Sequence, residues 1–145
     1  MENKDKVVIK CRGIIYHNNK ILIAKHGKDA DFYAFLGGHL EGSENPKECI
    51  EREIYEELGI KPEIGKLLYV NNYIEKDGTH YVEFFFEIKN NSDYIYIEKF
   101  NGVLKDELSD IMWIGKNENI KILPEKIYTD FNNDIMFSND VQFVS

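Results

Sequence analysis

β-Branched and aromatic residues cluster in short runs through the first third of the chain, and then the apolar spacing becomes helical. In VVIKCRGIIYHNNKILIAK, residues 7–25, β-branched and aromatic positions flank the turn former His17-Asn18-Asn19-Lys20. That pattern predicts a hairpin of strands 7–16 and 21–25. Residues 27–31 read as a loop, and residues 32–36 as a short apolar strand running into Gly37-Gly38. From Asn45 the spacing becomes helical. Asn45 suits the N-cap, Pro46 the first helical position, and Glu48 completes a capping box. Gly59 supplies a left-handed stop, and Pro62 prevents the helix from resuming. Residues 64–74 and 80–89 are apolar runs either side of Asp77-Gly78, which predicts a second hairpin. Residues 93–107 are polar and mixed, with Ile95 or Val103 as candidate core contacts. A short strand is expected at 110–114, a helix at 125–132 after Leu123-Pro124, and one more strand within 135–144. Strands, helix, strands and helix in this order predict a mixed sheet with helices on its faces, in a single domain spanning residues 1–145.

The first helix is unusual in its charge. Between Gly37 and Gly59 stand seven glutamates, answered only by Lys47 and Arg52. At about 100° per residue, Glu53, Glu56 and Glu57 share one arc of about 100°, beside the apolar stripe of Ile50, Ile54 and Leu58. A Glu-rich helix is usually a solvated face. Carboxylates crowded at the edge of a core instead suffer mutual repulsion and partial desolvation, which raise their pKa values or call for a cation. Oxygen ligands one helical turn apart are how Mg²⁺ or Mn²⁺ is held. Glycine at 37 and 38 lets backbone groups approach a ligand closely, and Glu41 lies in the following loop within reach of the same cations.

Composition narrows the field without deciding it. The 145 residues carry a net charge of −8 and 30% charged side chains, ordinary for a globular domain but unsuited to duplex nucleic acid. No stretch reaches the roughly 18 apolar residues of a membrane span. The opening MENKDKVVIK lacks the apolar core of a signal peptide, and Cys11 and Cys49 form no disulfide or metal spacing. These features predict a cytoplasmic protein, a monomer or homodimer, with no membrane or duplex nucleic-acid partner.

The same stretch resembles the Nudix (MutT-like) hydrolase family, whose motif is G-x5-E-x7-R-E-U-x-E-E-x-G-U, with U a bulky aliphatic residue. Gly38 is followed after five residues by Glu44, and after seven more by Arg52-Glu53. Ile54, Glu56-Glu57, Gly59 and Ile60 complete it, so every fixed position is met. The resemblance implies an α/β/α sandwich around a mixed β-sheet, with the motif as a loop-helix-loop. It implies a hydrolase of nucleoside diphosphates linked to a group X, acting on a small nucleotide and using Mg²⁺ or Mn²⁺, in two or more ions. Glu56 and Glu57 would be metal ligands, and Glu53 a ligand or the base that activates water. Arg52 would hold Glu44 or Glu56 in place. Gly38 would offer its carbonyl to a metal, with Glu41 an auxiliary ligand. Glu83, Glu98, Asp106 and Glu107 are alternative bases.

Choice of X falls to residues outside the motif. Arg12, the Lys25-His26 pair, the 29–33 loop and the 71–81 segment are candidates, Lys25 and His26 for phosphate, and Phe32, Tyr73 and Tyr81 are candidate stacking partners for a base; His39, inside the motif loop, is a further candidate for phosphate. Most of the aromatic run Phe84-Phe85-Phe86 is expected in the core. A (d)NTP, ADP-ribose or another NDP-sugar would suit such a site. The alternative is a non-catalytic Nudix domain that senses a nucleotide.

Overall fold

The computed structural model describes residues 6–97 and 108–145. The chain forms β1 (Val7–Ile14), β2 (Tyr16–His17), β3 (Lys20–Lys25), β4 (Tyr33–Ala34), β5 (Leu36–His39) and α1 (Pro46–Leu58). It continues with β6 (Ile64–Ile74), β7 (His80–Ile88), a 3₁₀ turn (Asn91–Tyr94), β8 (Ser109–Ile114), β9 (Ile122–Leu123), α2 (Glu125–Asn132) and β10 (Gln142–Val144).

One mixed sheet runs β10-β6-β7-β1-β5, parallel at β10–β6 and β7–β1 and antiparallel elsewhere. A second runs β2-β3-β4-β9, with β8 paired to β3. Strand alternation sends side chains to opposite faces, and the core divides accordingly. Leu22, Ala24, Phe86 and Ile88 pack with Ile50, Ile54 and Leu58 of α1. Ile21, Ile23 and Phe85 pack with Ile127, Tyr128 and Phe131 of α2. The sheet layer is therefore sandwiched between helices, the α/β/α arrangement expected.

The second hairpin forms as read, with β6 and β7 antiparallel around Gly78 at φ 89°. The first differs. Only β2 and β3 close around Asn18 and Asn19, both at positive φ. Strand β1 leaves this hairpin and lies between β7 and β5. Its partners are supplied by remote segments, and the β-branched residues that marked it as a strand carry no information about them. Ile95 is exposed, while its neighbours Tyr94 and Ile97 are buried; Val103 lies outside the described residues. Among the described residues, no helix is long and apolar enough to cross a membrane.

Helix α1 starts as its sequence dictates. Asn45 accepts from the Glu48 amide at 2.9 Å, and Glu48 accepts from the Asn45 amide at 2.9 Å. Gly59 ends it at φ 77°, its N–H donating to the Tyr55 carbonyl. The Asn45→Ala variant should lose about 1 kcal/mol of stability, read as a lower urea midpoint at unchanged slope.

Candidate active site

Gly37 and Gly38 join the sheet to α1. Gly37 sits at φ 137°, and a Cβ there would fall 2.0 Å from the Cys11 carbonyl oxygen. Its N–H donates to Glu57 Oε1 at 2.8 Å, fastening the buried end of α1 to β5. A Cβ on Gly38 would lie 2.6 Å from the Glu53 carboxylate. A side chain is therefore excluded at Gly37, and one at Gly38 would have to displace the Glu53 carboxylate from the backbone it now approaches.

Beside these glycines opens a cleft of about 360 Å³. Glu41, Glu53 and Glu57 form its acidic wall, and Lys10, Arg12, His26 and His39 the other. Register explains the second wall. Across β6, β7, β1 and β5, the same face carries Tyr69, Phe85, Arg12 and Gly37, then Asn71, Glu83, Lys10 and His39. The next row holds Tyr73 and Tyr81. One face thus grades from apolar core, through buried polar groups, to an aromatic and cationic margin.

In the middle of that gradient Arg12 is buried. Its Nε donates to Glu83 Oε2 at 3.1 Å, and one terminal nitrogen donates to the Gly37 carbonyl at 2.9 Å. Glu83 also accepts from Asn71 at 2.8 Å. A buried charge pair is tolerated only with its remaining hydrogen bonds satisfied, and here the glycine carbonyl and the asparagine supply them. At the margin, the rings of Tyr73 and Tyr81 stack 5.0 Å apart, with the Lys10 ammonium 4.7 Å from the Tyr81 centroid. Burial, with Glu83 nearby, pushes the Tyr73 hydroxyl up to about 12.

On α1, one guanidinium gathers four carboxylates. Arg52 donates to both oxygens of Glu44, at 3.1 and 2.7 Å, to Glu53 at 2.9 Å and to Glu56 at 3.2 Å. Glu41 lies 3.1 Å from the same group. Its hydrogen bonds hold Glu44 below the usual carboxylate range. Burial instead raises Glu53, although Arg52 opposes the shift. Among the described residues, no three His, Cys, Asp or Glu side chains already converge on a metal-sized point; Arg52 stands among them. The donor chemistry still suits a hard cation, since Glu41, Glu53 and Glu57 bring carboxylate oxygens to one cleft whose glycine floor leaves room.

The candidates from sequence are distributed unevenly. Arg12, Gly38, Glu41, Glu53 and Glu57 line the cleft. Arg52, Glu44 and Glu56 brace it from the helix side. Tyr73 and Tyr81 adjoin it through Lys10. Lys25 and Phe32 are not among the lining residues; Lys25 lies 3.7 Å from Asp110 and over the Tyr33 ring. His26 takes the place expected of Lys25. Burial and Arg12 push the His26 ring down to about 4, so it is neutral near pH 7. Glu98, Asp106 and Glu107 lie outside the described residues. Lys10 was missed, though it lies two positions before Arg12, an alternation that period-two counting recovers.

Comparison with known proteins follows from this geometry. A family model described as the NUDIX domain matches residues 9–131. An ADP-ribose pyrophosphatase of Methanocaldococcus jannaschii is 38% identical over 73 residues, 48% of this chain and 43% of that protein. The chain therefore matches under half the length of that relative. The E. coli ORF135 protein superposes with a TM-score of 0.66 at 21% identity, over 93% of this chain and 96% of its own. A MutT NUDIX hydrolase from Burkholderia pseudomallei superposes at 0.61 with 24% identity, over 77% and 84%. At such identities these two structures speak for the fold alone.

Removing Arg12 should leave Glu83 buried without its countercharge. Arg12→Ala is expected to cost about 3–5 kcal/mol, with part recovered in the Arg12→Ala/Glu83→Gln double variant. Chemical denaturation of wild type, both single variants and the double variant checks this; single losses that simply add in the double variant would show that the pair is not coupled.

Proposed function

This chain belongs to the NUDIX family, and from that premise we propose that it is a divalent-cation-dependent pyrophosphohydrolase of nucleoside diphosphates joined to a second group, ADP-ribose being the first substrate to try. The observation that carries this reading is the meeting of Glu53 and Glu57 with the Gly37-Gly38 backbone in one cleft, opposite Lys10 and Arg12. The local match to an ADP-ribose pyrophosphatase supports the substrate class. In this proposal residues 1–145 act as one domain, in the cytoplasm, where Cys11 and Cys49 stay reduced.

Glu56, Glu57 and Glu41, with the Gly38 carbonyl, would hold Mg²⁺ or Mn²⁺, in two or more ions. Such ions supply charge neutralisation for the diphosphate and acidify water at neutral pH. The chain's own groups do the rest. Lys10 offers positive charge where the phosphates would lie, and Arg12 keeps the Gly37 carbonyl and Glu83 fixed beneath them. Glu53, desolvated and so more basic than a surface carboxylate, is the proposed general base. Arg52 and Glu44 hold the acidic side of α1 in register for that role. Tyr73 and Tyr81 form an aromatic margin for the base, with Lys10 between ring and phosphate.

The test is phosphate release from ADP-ribose, UDP-sugars and (d)NTPs, with Mg²⁺ or Mn²⁺ and an added phosphatase that reports monophosphate products. Wild type should turn over one class, ADP-ribose first. Glu53→Gln should lose about 10²–10⁴-fold in kcat, and Glu57→Gln at least as much. Silence across the panel with cation-dependent nucleotide binding intact would overturn the hydrolase in favour of a nucleotide-sensing domain.

A further inference from the structure

His26 follows β3 and stands where the two walls of the cleft meet. Its Nε2 lies 3.0 Å from the Phe35 carbonyl oxygen. A carbonyl oxygen only accepts, so this nitrogen carries a proton. Nδ1 is the ring atom left to face the cleft, 3.9 Å from Glu57 Oε2, too far for a hydrogen bond.

An imidazole nitrogen that gives up any proton to bind a metal and a carboxylate oxygen thus face each other across the cleft, where one cation can lie between them. Metal–nitrogen and metal–oxygen bonds sum to about 4.2 Å, more than the 3.9 Å observed, so one ion reaches both atoms without widening the gap. The bond to Phe35 is also the support that metal-bound imidazoles need: the distal N–H donates to a backbone carbonyl, which sets tautomer and orientation. Glu57 is set in the same way, by the Gly37 amide on its other oxygen.

We infer that His26 Nδ1 is a nitrogen donor to the cation that Glu57 holds, giving the centre a mixed nitrogen and oxygen donor set. This rests on the cation-dependent reading of the cleft and adds a ligand from outside the glutamate-rich motif. An imidazole shifts preference away from Mg²⁺ toward first-row transition ions.

Mn²⁺ alone is the probe. Pulsed EPR of the Mn²⁺-loaded protein should show the ¹⁴N coupling of a directly bound imidazole. The coupling should persist in His39→Gln, the control for the other cleft histidine, and vanish in His26→Gln. Mn²⁺ affinity should fall about tenfold or more in His26→Gln, with Mg²⁺ affinity changing by less than about threefold. Mn²⁺ bound in wild type without nitrogen coupling, or coupling that survives in a folded His26→Gln, would overturn the ligand while leaving the cation site standing. Absence of Mn²⁺ binding would overturn both. Should His26→Gln fail to fold, the wild-type and His39→Gln spectra decide the matter.

Discussion

Arg52 holds four carboxylates at once, those of Glu41, Glu44, Glu53 and Glu56. One guanidinium cannot neutralise four negative charges, so the cluster stays negative after Arg52 has given every donor it can. This imbalance organises the rest of the site. Like charges on one helix repel, and the helix withstands it because its ends are secured independently, by the Asn45–Glu48 box and by Gly59. Ile50, Ile54 and Leu58 anchor it to the sheet on the side where Glu57 turns inward. In the proposed reading a divalent cation would add the positive charge that the chain withholds, beside Glu53, whose carboxyl burial raises above its ordinary range.

The Gly37-Gly38 pair transmits this helix chemistry to the sheet. Gly37 faces both ways, donating its N–H to Glu57 and lending its carbonyl to Arg12. Arg12 is in turn bound to Glu83, and Glu83 to Asn71. A continuous set of hydrogen bonds therefore runs from α1 through β5 and β1 to β7 and β6. It stiffens the floor of the cleft while leaving Lys10 and the Tyr73–Tyr81 stack at the margin, where a ligand larger than diphosphate would extend. In the proposed reading, substrate selection falls to this margin of the sheet and the chemistry to the α1 side of the cleft.

Much of this was legible in the residues, and the exceptions have a common cause. The helix announces itself because capping, termination and apolar spacing are all local. The β6–β7 hairpin does so because Asp77-Gly78 sits between two strands adjacent in sequence. Strand β1 was assigned to a hairpin with β3 because nothing within residues 7–25 encodes its partners, β7 and β5, which lie far along the chain. The site shows the same division. The carboxylates follow from helical angles, but Lys10, Asn71 and the place of Glu83 beneath the cleft depend on strand register. At the end of β3, a shift of one residue separates His26, which lines the cleft, from Lys25, which leans on Tyr33 and Asp110. Local alternation marks such neighbours as opposite without saying which side will hold the ligand.

The central claim is that the α1 carboxylates are under-neutralised by Arg52 and stabilised by a divalent cation. It is tested most directly by urea unfolding of the metal-free protein titrated with Mg²⁺ or Mn²⁺. Binding to the folded state should raise stability by about 1.4–2.7 kcal/mol between ten and one hundred times Kd, with the gain lost in Glu57→Gln. A midpoint that stays flat through millimolar cation would contradict the account, because a site that binds only the folded chain must stabilise it.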